Sequence, residues 1–343
     1  MKRRHIVTIK DLARELQVSV ATVSRGLRNT HDVSKKTRSK ILAKAKELNF
    51  RPNFNAMGLV NNKSHKIAVI LPTITHYYFT EVINGIQKIA YKNNFNIILH
   101  ITGESAERER AIVRQLPLSS IDGLLVSVTS DSQKCDHFLE ILNCGVPIVF
   151  FDRIPDSINT SKVMQNDFEG AFIAVEHLIK NGYKKIAHIT GPYGLSLTRH
   201  RFDGYLAALK KYNLAVWPEW IIYSEFDQAS GSDDVKQLWE SKNKPNAIFA
   251  VNDSKAIGAM LELKKRNIEI GKDVAVVGFT NEPMSAVVSP SLTTFEEPAM
   301  EVGMKSCELL LQHISKKNFT PKEVILNGKL IIRESSTKRI AEP

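Results

Sequence analysis

Apolar positions along the chain follow two rhythms. Over the first fifty residues the spacing is helical: Ile9, Leu12, Ala13 and Leu16 recur on one face behind Thr8, which can cap a helix with Asp11 near the capping-box position. Gln17-Val18 allows a turn, and Ser19 is a second N-cap, opening Val20–Arg28. Ser34 caps a third helix whose Ile41, Leu42, Ala45 and Leu48 share a face; it ends near Asn49 and Arg51-Pro52, since the residue before proline leaves the helical region. Three short helices with a tight first connection form the helix-turn-helix pattern. On the second helix Val23 and Leu27 fall together and should pack inward. Ala21, Ser24, Arg25 and Arg28 fall on another face, within an arc of about 100°.

From Lys66 onward, strand-sized apolar runs alternate with amphipathic stretches. The runs are Ile67–Leu71, Phe95–Ile101, Leu124–Val128, Pro147–Phe151, Lys185–Ile189, Ile221–Ser224, Ala247–Val251 and Val274–Phe279. Helices are expected over Glu81–Tyr91, Glu107–Leu116 and Phe138–Leu142. This βαβ alternation predicts parallel sheets with helices on both faces, and a stretch this long fits two doubly wound lobes better than one sheet. Ligands of open α/β sheets bind beyond the carboxyl ends of the strands. There the sequence places His76-Tyr-Tyr-Phe79, Asp152-Arg153, Phe226, Asn252-Asp253 and Thr280-Asn281. Aromatic faces among carboxylate, amide and guanidinium groups suit a small polyhydroxylated or heterocyclic ligand. An Asp after a strand is also a common helix cap, so it is the convergence of five strand ends that supports a site.

Charge divides the 343 residues unevenly. Residues 1–63 hold 15 Lys/Arg against Asp11, Glu15, Asp32 and Glu47, which accounts for the whole net charge of +11. A basic module attached to a neutral body reads as a polyanion binder. The cationic face of the second helix suits a major groove, where Arg25 can reach guanine and Val20 or Ala21 a thymine methyl. Ser19, Thr22 and Ser24 suit phosphate contacts. The body carries no G-x-x-x-x-G-K-[ST], G-x-S-x-G, H-E-x-x-H or G-x-G-x-x-G, so no enzyme, cofactor or metal is expected. His188 reads as a core residue and Asp233-Asp234 as a helix-start charge pair. Cys135, Cys144 and Cys307 lie in no C-x-x-C, which argues against a disulfide scaffold or zinc site. No run approaches the roughly 18 apolar residues of a membrane span. Met1-Lys-Arg-Arg-His5 is followed by too short an apolar stretch for a secretory signal. A cytoplasmic location is the default.

The stretches Val7–Arg14, Val18–Arg25, Val33–Arg38 and Phe50-Arg-Pro-Asn53 resemble the DNA-binding headpiece of the LacI/GalR family. Gly182–Ala187, Arg201–Gly204, Ala250–Asp253, Val276–Phe279 and Leu292-Thr-Thr294 resemble that family's periplasmic-binding-protein-like core. The resemblance implies base reading by Val20, Ala21 and Arg25, and a hinge helix whose Leu59 wedges into the minor groove at the operator centre. Met57-Gly58 departs from the family's usual Arg-Ser there, which implies a hinge that folds only on DNA. The DNA-contacting set is then Thr8, Ser19, Val20, Ala21, Thr22, Ser24, Arg25, Arg28, Ser34 and Leu59. The resemblance also implies effector contacts from Tyr78, Phe79, Asp152, Arg201, Phe226 and Asn252, to which the strand ends add Arg153, Asp253 and Thr280. Many relatives carry an acidic residue where this chain has Thr280; with Arg153 and Arg201 retained, that departure points to an anionic sugar derivative.

The resulting expectation is an all-α headpiece (1–52), a hinge and linker (53–65) and a two-lobed α/β core (66–335), followed by a tail (336–343). Lobe 1 would hold about 66–162 and 294–321, and lobe 2 about 163–293 and 322–335. The function expected is an effector-controlled, sequence-specific transcription regulator, most simply a repressor, binding a pseudo-palindromic operator as a homodimer. The tail's lack of leucine heptads argues against a tail-built tetramer. A transport-class solute-binding protein and an architectural DNA-binding protein without effector are the alternatives.

Overall fold

In the computed structural model the Thr8 backbone N–H donates to Asp11 Oδ2 (2.9 Å) and the Asp11 N–H to Thr8 Oγ1 (3.4 Å), closing the capping box. Residues 7–28, 32–50, 64–130, 135–155, 157–316 and 320–337 are described. Leu59 and the hinge and linker as far as residue 63 lie outside them, as do residues 51–52 of the headpiece and the side chain of Arg28. The chain forms two units, divided after Ser64.

The first unit contains α1 (Ile9–Leu16), α2 (Val20–Arg28) and α3 (Lys35–Glu47). Ser19 Oγ accepts from the Thr22 N–H (3.1 Å) and Ser34 Oγ from the Thr37 N–H (3.2 Å), so both serines cap as their positions predict. Leu12, Ala13, Val23, Ile41 and Ala45 are buried together, with Leu16, Leu27 and Leu48 packed against them.

The second unit holds two six-stranded sheets. Sheet 1 contains β1 (Lys66–Leu71), β2 (Asn96–Ile101), β3 (Gly123–Val126), β4 (Ile148–Phe151), β5 (Ser161–Gln165) and β11 (Glu323–Leu326). They lie in the order β11-β5-β4-β3-β1-β2, all parallel. Sheet 2 contains β6 (Ile186–Thr190), β7 (Ile221–Tyr223), β8 (Ala247–Ala250), β9 (Ala275–Thr280), β10 (Thr293–Glu296) and β12 (Lys329–Ile331). Its order is β12-β10-β9-β8-β6-β7, and only β12 runs antiparallel. Sheet 1 is flanked by α4 (Tyr77–Lys92), α5 (Ala106–Gln115), α6 (Asp136–Asn143) and α12 (Ala299–Ser315). Sheet 2 carries α7 (Asp167–Lys180), α8 (Ser196–Lys211), α9 (Gln228–Glu240), α10 (Asp253–Lys265) and the short α11 (Pro283–Val287). Each sheet has one apolar cluster per face, the doubly wound arrangement expected.

Strand pairing moves the lobe boundaries. The chain leaves sheet 1 after Gln165, returns after Glu296 and leaves again after Leu326, each a few residues later than the sequence suggests. The reason is that burial along β5 and β11 alternates, β12 is partly exposed and β10 carries two threonines and a glutamate, so they do not read as continuous apolar runs. Helix α4 also begins earlier than expected, with His76 at its N-cap, so Tyr77-Tyr78-Phe79 form its first turn rather than a loop.

Among the described residues no helix is long and apolar enough to cross a membrane, and Cys144 and Cys307 are free thiols.

Helices α4 and α12 approach so closely that a Cβ added at Gly303 would meet the Val82 carbonyl oxygen, and one at Gly85 the Met300 carbonyl oxygen. Backbone cannot yield there without prying the helices apart. Gly303→Ala is expected to destabilise the protein by about 1–3 kcal/mol through overpacking, read as a lower midpoint in urea denaturation with unchanged slope.

Candidate functional site

The recognition face of α2 stands as its periodicity predicts. Val23 is fully buried, whereas Val20, Ala21 and Arg25 are exposed and Ser24 is half-buried. Ser19 and Thr22 hydroxyls lie 2.8 Å apart at the N-terminus of α2, and Ser34 and Thr37 hydroxyls 2.9 Å apart at that of α3. Helix N-termini with free N–H groups and hydroxyls favour phosphate oxygens. Thr8 occupies the corresponding position of α1.

In the second unit the strand-end residues converge between the lobes. His76, Tyr78, Phe79, Asp152 and Arg153 from lobe 1 meet Leu197, Arg201, Phe226, Asn252, Thr280 and Glu282 from lobe 2, with Glu297 from the crossing after β10. Burial on α8 would ordinarily disfavour the Arg201 cation. Its Nε donates to Asp167 Oδ1 (2.7 Å), its Nη2 to Glu297 Oε1 (2.6 Å) and its Nη1 to the Val251 carbonyl (2.6 Å), and its Cζ lies 3.8 Å from the Phe279 ring centroid. The two carboxylates outweigh burial and hold the guanidinium firmly protonated. Arg153 donates from Nη1 to both Glu104 oxygens (2.7 and 2.8 Å) and lies between the rings of Phe79 and Phe226 (5.7 and 5.2 Å).

A second layer joins these groups. Tyr78 donates its hydroxyl to Gln165 Oε1 (2.9 Å), and Gln165 Nε2 donates to Glu297 Oε1 (3.1 Å) and Asp152 Oδ1 (3.3 Å). Burial pushes the Asp152 carboxyl up to about 6 against the pull of Arg153, and that of Glu297 up to about 7 against the pull of Arg201. Phe226, Arg153 and their neighbours nearly fill the cleft, leaving about 50 Å³, far below the roughly 300–1,000 Å³ of small-molecule sites. Admitting a ligand therefore requires these side chains to part. A larger hollow of about 460 Å³ shares Thr280 and Glu297 and is otherwise lined by Tyr77, Glu81, Asn281, Glu296, Met300, Lys329 and the adjoining crossing segments. It offers one aromatic ring and few convergent donors; the chemistry favours the smaller cleft.

Three sequence expectations change. Asp253 does not line the cleft: it is fully buried, accepting from the Thr294 hydroxyl (2.5 Å) and the Glu282 N–H (2.7 Å). Asp234 is no helix-start group, because α9 begins at Gln228; it is buried, and pairs with the fully buried Lys255 at 2.8 Å, while Asp233 is exposed. Lys255 also donates to the Thr190 carbonyl and to Ser224 Oγ. The surplus of cations inferred from Thr280 is absent, since Arg153 and Arg201 are already paired with carboxylates. The sequence missed Glu104, Gln165, Asp167 and Glu297. A Glu297-Pro298 step just after a strand was the available signal. His188 is a core residue, its Nδ1 3.0 Å from the Phe249 carbonyl and its pKa pushed down to about 3 by burial. Among the described residues no His/Cys/Asp/Glu group could hold a metal.

Asp253, Glu297 and Asp152 share a pH signature. Burial raises all three, Asp253 up to about 7, so the unfolded chain releases these protons first and these groups lower stability as pH climbs from about 4.5 to 7, while the lowered pKa of His188 acts in the opposite sense below about 6.5. Asp253→Asn, which keeps both contacts if the Thr294 hydroxyl turns from donor to acceptor, removes the Asp253 part: the melting temperature of wild type relative to this variant is expected to drop across that window and level off above it. Asp253→Ala is expected to cost about 1–3 kcal/mol by stranding two buried donors.

Comparison with known proteins divides the chain in the same way. Residues 8–53 match the family profile described as bacterial regulatory proteins, lacI family, and residues 175–336 match a periplasmic binding protein-like domain. The HTH-type transcriptional repressor PurR of Aliivibrio fischeri is 32% identical over 338 residues, covering 98% of this chain and 100% of the relative. The lac repressor dimer bound to operator and the anti-inducer ONPF superposes with a TM-score of 0.87 at 25% identity, covering 97% of this chain and 100% of that one. A LacI family transcriptional regulator from Enterococcus faecium with bound ribose gives a TM-score of 0.69 at 27% identity, covering 79% and 98%.

Proposed function

Because this chain belongs to the LacI family of bacterial regulatory proteins, we propose that its effector is a neutral polyhydroxylated sugar and that it acts as a dimeric repressor. The protein is a DNA-binding transcription regulator controlled by a small molecule. Its α2 enters the major groove, with Arg25 reading a base and Val20 and Ala21 making apolar contacts. Thr8, Ser19, Thr22, Ser24 and Ser34 hold phosphates, and Arg28 and Leu59 complete the contacts to DNA. Two-fold symmetry of the dimer matches a pseudo-palindromic operator; the operator-bound dimer of the lac repressor supports this reading. Operator binding places the protein with the chromosome, in the cytoplasm. No reaction is assigned to the cleft, whose guanidiniums are held by its carboxylates.

The observation that carries the effector reading is the charge balance of the cleft. Both guanidiniums are matched by Glu104, Asp167 and Glu297, and Asp152 adds a further carboxylate. An anion entering would face four carboxylates against two arginines, of which Arg153 keeps one donor, its buried Nε, without a hydrogen-bond partner among the described residues. A sugar hydroxyl, by contrast, finds acceptors, and its ring face finds Phe79 and Phe226. The ribose held by the Enterococcus faecium relative supports this choice. Effector binding shifts the operator affinity only through its different affinity for the two lobe arrangements.

Two measurements check the reading. Arg25→Ala is expected to weaken operator binding by about 1–3 kcal/mol and relax preference at one base position per half-site, as read by selection from random duplex DNA at fixed salt. A thermal-shift panel is expected to show stabilisation by a neutral pentose or hexose, by about 2.7 kcal/mol at a hundredfold excess over Kd, and none by the matching uronate. Preference for the uronate would overturn the neutral-sugar reading.

A further inference from the structure

Thr280 and Glu297 come from different elements, yet act on one spot. Thr280 ends β9 at a φ of 125°, a left-handed conformation that a β-branched residue rarely adopts. That backbone turns its hydroxyl toward Glu297, to which Oγ1 donates at 2.8 Å. Glu297 follows β10, immediately ahead of Pro298 and α12, and is 7% exposed. Its Oε1 already accepts from Arg201 and Gln165, whereas its Oε2 accepts from Thr280 alone among the described residues. A carboxylate oxygen accepts two hydrogen bonds, so Oε2 keeps one acceptor position, and the residue borders the cleft.

We propose that Glu297 is the specificity-determining carboxylate of the effector cleft, taking a ligand hydroxyl on Oε2 while Thr280 and Arg201 fix its orientation. The acidic function absent from position 280 is supplied from the lobe crossing. This assignment rests on the neutral-sugar reading and names the group that enforces it. In its ionised form, which predominates above about pH 7, Oε2 accepts a hydroxyl and repels a carboxylate, so one residue provides both attraction and exclusion. Because Glu297 sits on the crossing itself, its ligand contact would also bear on the segment that joins the lobes.

The assignment is tested by moving the charge. Wild type, Glu297→Gln, and the double variant Glu297→Gln/Thr280→Asp are titrated calorimetrically with D-ribose, and with D-ribonate as the anionic counterpart. Melting temperature and effector-free operator binding confirm that each is folded. Glu297→Gln is expected to weaken D-ribose at least tenfold and to narrow the preference over D-ribonate by a similar factor. The double variant is expected to recover D-ribose binding to within about threefold of wild type. Unchanged D-ribose affinity in Glu297→Gln overturns the assignment while leaving the neutral-sugar reading intact. A loss that Thr280→Asp does not rescue, with no change in preference, reduces Glu297 to a brace for Arg201 and also overturns it. If wild type binds D-ribonate in preference to D-ribose, the underlying reading fails and the assignment with it.

Discussion

The buried Arg201 guanidinium ties together the parts on which this fold's function depends. It belongs to α8 of lobe 2, yet it grips Asp167 on the first crossing, Glu297 on the second and the carbonyl of Val251 just past β8. Removing one partner of such a buried pair typically costs about 3–5 kcal/mol, because the other charge is left uncompensated. The geometry of both crossings is therefore fixed by one side chain. The third crossing is bound to the others at the surface, where Asn166 donates to Asn327 (3.1 Å) and Lys329 pairs with Glu296 (2.9 Å).

Around this hub negative charge outnumbers positive, and the imbalance shapes the chemistry. Asp152 and Glu297 both have raised carboxyl pKa values, a sign that burial and mutual repulsion exceed what the arginines repay. Under the proposed reading, ligand hydroxyls would relieve that imbalance by donating to oxygens that lack a full set of partners, and the aromatic rings near Arg153 would add a face for the sugar ring.

Much of this was legible in the sequence, for reasons that differ by region. The headpiece was readable because its caps and apolar spacing are local: Thr8, Ser19 and Ser34 act within three residues of themselves. The central strands were readable because burial on both faces leaves continuous apolar runs. Edge strands β11 and β12 were not, since one exposed face interrupts the run. The aromatic half of the cleft and Asp152 were legible because they lie directly after strands, at the carboxyl ends where ligands of such sheets bind. The carboxylates at 104, 167 and 297 escaped because their roles depend on pairing with residues far away in the chain. Asp253 misled for the converse reason: its neighbour Asn252 does cap α10 and border the cleft, but one step along the helix the side chain turns into the protein. The inference from Thr280 treated a charge as belonging to one sequence position, whereas the fold brings the Glu297 carboxylate beside it from another.

The filled cleft has a kinetic meaning. With Phe226 and Arg153 among the side chains that crowd the cleft, an effector of the proposed kind would enter only as they part, and its association rate is then expected to fall below the diffusional limit. The same packing would slow escape once the side chains had closed over a guest.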